Sequence, residues 1–209
     1  MDPRVRWVCG MSLPVLGWSL VGAHDGFTWF LEVFPVLLGG PLLVWSAARF
    51  PVSSLVLAMM WVHGVILMVG GHYTYAMVPA GEWCKEWFGW TRNHYDKLGH
   101  FAQGFVPALI VRELLLRRSP LRADASGRTS RWLPVLVVCV CLAFSALYEL
   151  FEWGTALATG SAADDFLGTQ GDPWDTQTDM FMALLGSVIA LVTLSGVHDR
   201  SMARIRGER

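Results

Sequence analysis

Long apolar stretches, separated by short polar connections, dominate the pattern along the chain. A helix that crosses a bilayer needs about 20 mostly apolar residues. Stretches that approach or exceed this length cover residues 7–23, 27–47, 52–71, 98–116, 132–157 and 174–197. The pattern therefore predicts an all-α integral membrane protein: a six-helix transmembrane bundle that forms a single transmembrane domain over residues 1–209.

The first stretch has a second interpretation, because Arg4 and Arg6 precede it and small residues at 21–23 resemble a secretory cleavage site. We expect it to be retained as a span. With the N terminus in the cytoplasm, every Lys and Arg except Lys85, Arg92 and Lys97 lies on the inner side. This bias satisfies the positive-inside rule. We therefore predict that both termini are cytoplasmic.

The connection between the third and fourth spans has a helical pattern of its own. Trp83, Trp87 and Trp90 follow one another at i, i+4 and i+7, which places them on one face of a helix. Tryptophan prefers the interface between membrane and water. Residues 81–90 are therefore predicted to form a short interfacial helix on the outer side.

Composition agrees with a membrane protein. The hydrophobic residues make up 54% of the chain and the charged residues 16%, which excludes an ordinary cytosolic domain and a disordered chain. The net charge of −1 offers no electrostatic footprint for nucleic acid. The expected partner is the lipid bilayer, with an oligomer or another membrane protein as further options.

Most of the 17 acidic residues lie on or near the outer side of this topology. Acidic residues have little influence on membrane orientation, so their position needs another explanation. Several of them share a helical face and lie at similar depth, together with one histidine. These stripes are Asp96, His100 and Gln103; Glu149 and Glu152; and Asp172, Asp175 and Asp179.

Helix capping explains part of this pattern. The sequence from Asp172 to Asp175 is a good helix start, with an acidic cap followed by proline, and Asn93 to Asp96 has similar character. For Asp172 and Asp96, capping and a ligand role remain equally open. Capping does not explain the four residues that lie a turn or more inside their helices, which are His100, Glu149, Glu152 and Asp179.

Carboxylates and a histidine on facing helices of a bundle are typical of a metal site. We expect His100, Glu149, Glu152 and Asp179 to bind a divalent metal ion, with Asp96 and Asp175 as catalytic bases or further ligands. The residue types do not distinguish Zn, Mn, Fe and Mg. The alternative is a metal-free network of hydrogen bonds and ion pairs that includes Arg92 or Lys97. The buried His63 is expected to be a hydrogen-bonded packing residue.

Three segments carry a resemblance to a known family: HYDKLGHF at 94–101, YELFEW at 148–153 and TQGDPWDTQTDM at 169–180. Together they resemble the YjdF-like family of bacterial inner-membrane proteins and, more distantly, the VanZ-like group. Glu152 stands where many VanZ-like sequences are expected to have Gln. The resemblance implies the bacterial inner membrane, and by analogy an envelope-related role, but no particular reaction.

Three functions are compatible with these observations. The first is a metal-dependent enzyme, such as a hydrolase, that acts on a lipid or lipid-linked substrate at the outer leaflet. The second is a transporter of metal ions or protons, for which His63 is the titratable group near mid-depth. The third is a noncatalytic subunit of a membrane complex, in which the polar cluster is structural.

Overall fold

The computed structural model describes residues 2–121 and 129–207, and these residues form helices and connections without any strand. Met1, residues 122–128, Glu208 and Arg209 lie outside the described residues. The helices are α1 (Pro3–Leu20), α2 (Gly26–Ser46), α3 (Ser54–Tyr73), α4 (Pro79–Phe88), α5 (Tyr95–Arg118), α6 (Trp132–Thr159), α7 (Asp164–Leu167) and α8 (Asp175–Gly207).

Side-chain caps start the first three helices. Asp2 accepts a hydrogen bond from the backbone N–H of Arg4 at 2.8 Å, and Pro3 follows it at the first helical position. Asp25 caps α2 in the same way, and Ser53 caps α3. These residues satisfy backbone N–H groups that have no partner within the helix.

Several predicted helix ends differ from the observed ones. The short outer helix was predicted at 81–90, but α4 begins at Pro79 and ends before Gly89, whose φ of 65° stops it. The last helix was predicted to end at residue 197 and continues to Gly207. Hydropathy marks only the apolar part of this helix, whereas its end is held by Met202 and Ile205, which are buried against the bundle.

Four of the described helices are long and apolar enough to cross a membrane: α2, α3, α6 and residues 175–205 of α8. Large apolar side chains on their surfaces are exposed, including Trp45 at 66% and Val192 at 78%. Lipid tails can cover such a surface where water would not. The helical membrane fold is thereby confirmed, while the crossing of α1 and α5 and the side on which the termini lie stay predictions.

Helix α5 lies at the centre of the bundle and packs against α3, α6 and α8. Of its 24 residues, 13 are buried, and several of these are charged. Its neighbours are other helices rather than lipid, so charged side chains can find partners there. This position explains how α5 can carry several buried charged side chains.

Glycines bring α5 and α8 into close contact. A Cβ atom added to Gly104 of α5 would collide with the backbone carbonyl of Ala183 in α8. A Cβ atom added to Gly186 would collide with the carbonyl of Phe101. Because small residues let helix backbones approach, this contact brings the N-terminal ends of α5 and α8 together.

Candidate functional site

Asn93 fixes the start of α5 and leaves the carboxylate of Asp96 free for other contacts. Its buried Oδ1 accepts a hydrogen bond from the backbone N–H of Tyr95 at 3.0 Å. Its Nδ2 donates to the carbonyl of Val78 at 3.0 Å and to Glu82 at 3.1 Å. The capping function considered for Asp96 is thus performed by Asn93.

The loop before α8 is attached to the same asparagine. Gln170 accepts from the backbone N–H of Asn93 at 3.0 Å and donates to its carbonyl at 2.9 Å. Asp172 accepts from the backbone N–H of Trp174 at 2.9 Å through Oδ1, while its Oδ2 accepts from Arg92 at 3.1 Å. Asp172 therefore acts both as the predicted cap and as part of an ion pair.

Lys97 lies among the acidic residues at the N-terminal ends of α5 and α8. Its Nζ donates to Oδ1 of Asp175 at 2.6 Å and to Oδ1 of Asp179 at 2.7 Å, and it lies 3.5 Å from Oδ2 of Asp96. Arg92 donates to Asp175 at 2.7 Å and lies 3.8 Å from Asp96. The ion pairs anticipated for Arg92 and Lys97 are thus present, and both cations hold Asp175.

The electrostatics of the loop before α5 keep Arg92 charged. Burial lowers the pKa of its guanidinium, but the hydrogen bond to Asp175 and the charges of Asp96 and Asp172 act in the other direction and raise the pKa above its ordinary value. Burial, assisted by the charge of Arg92, holds the pKa of His94 below its ordinary range. His94 is therefore neutral at pH 7, because even its ordinary pKa lies below that.

The imidazole of His100 faces two carboxylates through one of its nitrogens. Its Nε2 lies 3.3 Å from Oδ1 of Asp96 and 3.8 Å from Oδ1 of Asp179. Its Nδ1 lies 2.9 Å from Oε1 of Gln103. A carbonyl oxygen can only accept, so Nδ1 is the donor in that bond. Nε2 is then the nitrogen available to a ligand between the two aspartates.

Among the described residues, Asp96, His100 and Asp179 form a group whose potential ligand atoms all lie within 4.8 Å of one another. Glu149 is buried and lies 3.7 Å from Nδ1 of His100, and its Oε1 has no hydrogen-bond partner. Glu152 is half-buried one turn further along α6. The structure thus includes Asp96 in the group of potential metal ligands, whereas Glu149 and Glu152 lie beside this group.

The buried charges of this site do not balance when its carboxylates are ionised and His100 is neutral. Each of its four buried carboxylates exposes 6% of its surface or less. The two fixed cations among them are also buried, at 7% and 9% exposure. An uncompensated charge is costly in an interior of low dielectric. The acidic members are Asp96, Glu149, Asp175 and Asp179, and the cations are Arg92 and Lys97, which leaves two negative charges in excess when His100 is neutral.

One acidic neighbour was not assigned a role from the sequence. Glu32 of α2 is 1% exposed, and its Oε1 accepts a weak hydrogen bond from Thr74 at 3.5 Å. Its Oε2 has no hydrogen-bond partner. The sequence did contain an indication of a role for Glu32, because it is a charged residue inside an apolar stretch. Such residues are rare in membrane helices unless they have a function or a partner.

A second buried polar cluster, at the opposite end of α5, was also missed. Nε2 of His198 lies 3.0 Å from Oε2 of Glu113, and both residues are fully buried. Glu113 also accepts from Arg117 and from the backbone N–H of Ser53. Arg112 pairs with Asp199 at 2.8 Å. Only tertiary packing reveals this cluster, because its members come from α5, α8 and the start of α3.

His63 departs from its expected role as a hydrogen-bonded packing residue. Its Nε2 atom is buried and has no hydrogen-bond partner. The side chain lines a small cavity of about 40 Å³ that also reaches His100, Gln103 and Tyr148. His63 therefore lies next to the polar site and retains an unpaired nitrogen.

Comparisons with known proteins agree with this membrane fold. A family model described as a predicted membrane protein (DUF2238) matches residues 5–200. The inner membrane protein YjdF of Escherichia coli (strain K12) is 51% identical over 190 residues, which cover 91% of this chain and 88% of the relative. No solved structure matches the chain. The resemblance to YjdF-like proteins and the inner-membrane location are thereby confirmed, and the chain belongs to the DUF2238 family of predicted membrane proteins.

Proposed function

We propose that this protein binds one divalent metal ion at the outer end of its bundle, between Asp96, His100 and Asp179. The observation that carries the proposal is the orientation of His100, whose Nε2 faces both aspartates while Gln103 occupies Nδ1. A histidine that ligates a metal usually donates its other N–H to an oxygen in this way.

The spacing and charge of the site suit such an ion. Metal bonds to histidine nitrogen and carboxylate oxygen are about 2.0–2.2 Å long, so neighbouring ligand atoms lie roughly 3–4 Å apart. The separations of Nε2 from the two aspartate oxygens, 3.3 and 3.8 Å, fall in this range. A divalent ion would also neutralise the two excess negative charges of the buried carboxylates.

The remaining predicted site residues surround this centre. Glu149, with an unpaired oxygen beside His100, is suited to be a further ligand or a general base. Asp175 would act through Arg92 and Lys97, which it holds in place. Glu152 lies on the same face as Glu149 and remains the outermost candidate ligand.

The chemistry that fits this donor set is hydrolysis of a lipid or lipid-linked substrate at the outer leaflet. A divalent ion polarises a carbonyl or phosphoryl oxygen and lowers the pKa of bound water. Glu149 would accept the proton of the attacking water. The surrounding bilayer would supply such substrates by lateral diffusion.

Elemental analysis of the protein purified in detergent tests the metal site. We expect about one divalent ion per chain in the wild type and loss of most of it in Asp179→Asn, since each missing ligand weakens a site strongly. Glu86→Gln, a change in an exposed acid of α4, is the matched control and should keep the ion. The proposal would be refuted if the wild type and both variants contained equal amounts of metal, or if none of them contained any.

Ion or proton transport is the second candidate, and it is favoured because His63 lines the same small cavity as His100. Flux into proteoliposomes that His63→Leu abolishes would support transport. Hydrolysis of a vesicle lipid that Glu149→Gln abolishes, with no accompanying flux, would support the enzyme.

A further inference from the structure

An apolar cavity of about 520 Å³ lies between α1, α2, α3 and α5. Pockets that bind small molecules enclose about 300–1,000 Å³. Along α2 its wall extends from Pro35 to Val44, which corresponds to roughly 13 Å at about 1.5 Å per residue. The cavity is therefore long and large enough to hold a ligand.

This cavity adjoins the small cavity beside the polar site. Pro35, His63 and Leu67 line both the apolar cavity and the small cavity that reaches His100 and Gln103. The two spaces thus meet at these three side chains. A ligand that occupied both would have a polar end near the acidic residues and an apolar body in the bundle.

Two buried polar atoms in the wall of the apolar cavity have no hydrogen-bond partner. They are Nε2 of His63 and Nε1 of Trp61. Leaving a buried donor or acceptor unpaired costs about 1–3 kcal/mol. A ligand with an oxygen atom at this level would satisfy them, whereas a purely hydrocarbon ligand would not.

The rim of the cavity lies at the edge between α1 and α2, both of which pack against α3. Leu13 of α1 and Val44 of α2 line it and are 66% and 40% exposed. In a bilayer these side chains face hydrocarbon. The opening is thus directed sideways into the membrane, which suits the entry of a lipid chain.

We propose that this cavity binds one hydrocarbon chain of a membrane lipid whose polar end reaches the acidic site past His63. A methylene group is close in size to a water molecule, which takes about 30 Å³ in the liquid, so the cavity has room for roughly 15 such groups. That is a single chain of ordinary length. The inference rests on the proposed function for its polar end, but occupancy of the cavity does not require a metal.

Gly64 provides the decisive variant. It lines the cavity, and a Cβ atom added there meets only Val36 and Met68, at ordinary contact distances of 3.9 and 4.0 Å. The side chain of Gly64→Phe would therefore fill the cavity without a collision at its Cβ. Gly154→Phe is the control, because an added Cβ meets nothing within 4 Å and the residue is exposed on α6, which does not line the cavity.

The test uses full-length protein in vesicles of phosphatidylethanolamine and phosphatidylglycerol that contain a trace of phosphatidylglycerol with a photoreactive diazirine on its acyl chain. After illumination, cross-linked peptides are mapped by mass spectrometry. In the wild type and in Gly154→Phe we expect labelling of the cavity-lining residues Leu37 and Leu43 of α2 and Leu67 of α3. In Gly64→Phe we expect this labelling to fall about tenfold, the effect of some 1.4 kcal/mol, while labelling of exposed surface positions persists. Equal cavity labelling in Gly64→Phe and wild type, or labelling of the exposed surface alone in all three, would overturn the proposal.

Metal content, measured in the same preparations, separates this proposal from the previous one. If both are correct, Gly64→Phe keeps its metal and Glu149→Gln keeps its cavity labelling. If the cavity is labelled but neither the wild type nor any variant contains metal, binding of the lipid chain is supported and the metal site is refuted. Metal without cavity labelling refutes the lipid chain alone.

Discussion

Nδ1 of His100 lies 2.9 Å from Oε1 of Gln103, one helical turn further along α5. This bond fixes the ring so that Nε2 faces Asp96 and Asp179. Gln103 is thus a positioning residue, because it acts on the site through the imidazole.

Replacing Gln103 tests this relationship. We expect Gln103→Leu to lower metal affinity about 10–100-fold, the range found when an outer partner of a ligand is lost. Gln103→Glu should retain most of the affinity, because a carboxylate also accepts from Nδ1–H. The dissociation constants from a metal titration decide the matter, and equal values for Leu and Glu would show that the bond has no role in binding.

Removal of Lys97 tests how the buried charges are balanced. Lys97→Met leaves Asp175 and Asp179 without their ammonium partner, and breaking a buried pair costs about 3–5 kcal/mol. In this chain that corresponds to a Tm lower by about 10 °C. We expect added Mn²⁺ or Zn²⁺ to recover part of the loss, because the ion would replace the missing positive charge.

Lys85→Met is the control for this experiment, since Lys85 pairs with Glu82 at the surface of α4, where both side chains are more than a third exposed. Such a pair contributes about 0–1 kcal/mol. A Tm for Lys97→Met that equals the Tm of Lys85→Met, or that does not respond to the metal, would contradict the charge balance described for the site.

The close contact of α5 and α8 predicts a strong effect at Gly104. Gly104→Val would push against the backbone of Ala183, and overpacking of this kind costs about 1–3 kcal/mol. Because the same contact sets the distance between His100 and Asp179, metal affinity should fall together with Tm. Gly154→Val, where an added Cβ meets nothing within 4 Å, should change neither. Normal metal affinity in a destabilised Gly104→Val protein would show that the contact does not position the site.

A feature of the fold or of the candidate site could be predicted from the sequence where the residues that determine it are close together in the chain. The apolar stretches predicted the helices, and the spacing of Asp96, His100 and Gln103 placed them on one face of α5, because both signals are contained within one helix. The role of Lys97 was left open, because its partners Asp175 and Asp179 lie about 80 residues away on α8. Their pairing depends on the helix contact at Gly104, which no local pattern records.

The second buried polar cluster, around Glu113 and His198, shows the same limit of sequence-based prediction. Glu113 and His198 are 85 residues apart and meet only because α5 and α8 pack against each other. The extension of α8 to Gly207 was also missed, since its last turns are held by tertiary contacts of Met202 and Ile205 rather than by apolar character throughout. Tertiary packing, rather than propensity, determines these features.

The second buried polar cluster, around Glu113 and His198, is predicted to be structural. Glu113→Leu would leave the buried His198 without its carboxylate partner, so Tm should fall by an amount equivalent to about 3–5 kcal/mol. Asp199→Asn is the matched control, because Asp199 belongs to the same cluster but its side chain is 57% exposed, and its loss should matter little. Metal content should stay at the wild-type level in both. Loss of metal in a folded Glu113→Leu protein would link the two ends of α5 and contradict this assignment.

Pulsed electron paramagnetic resonance of the Mn²⁺-loaded protein examines the metal centre at the level of a single atom. With ¹⁵N-labelled histidine, the wild type should show coupling of the ion to one directly bound imidazole nitrogen. The coupling should disappear in His100→Gln and persist in His94→Gln, a histidine at the start of the same helix. Absence of nitrogen coupling in the wild type, or its persistence in His100→Gln, would contradict a metal centre built on His100.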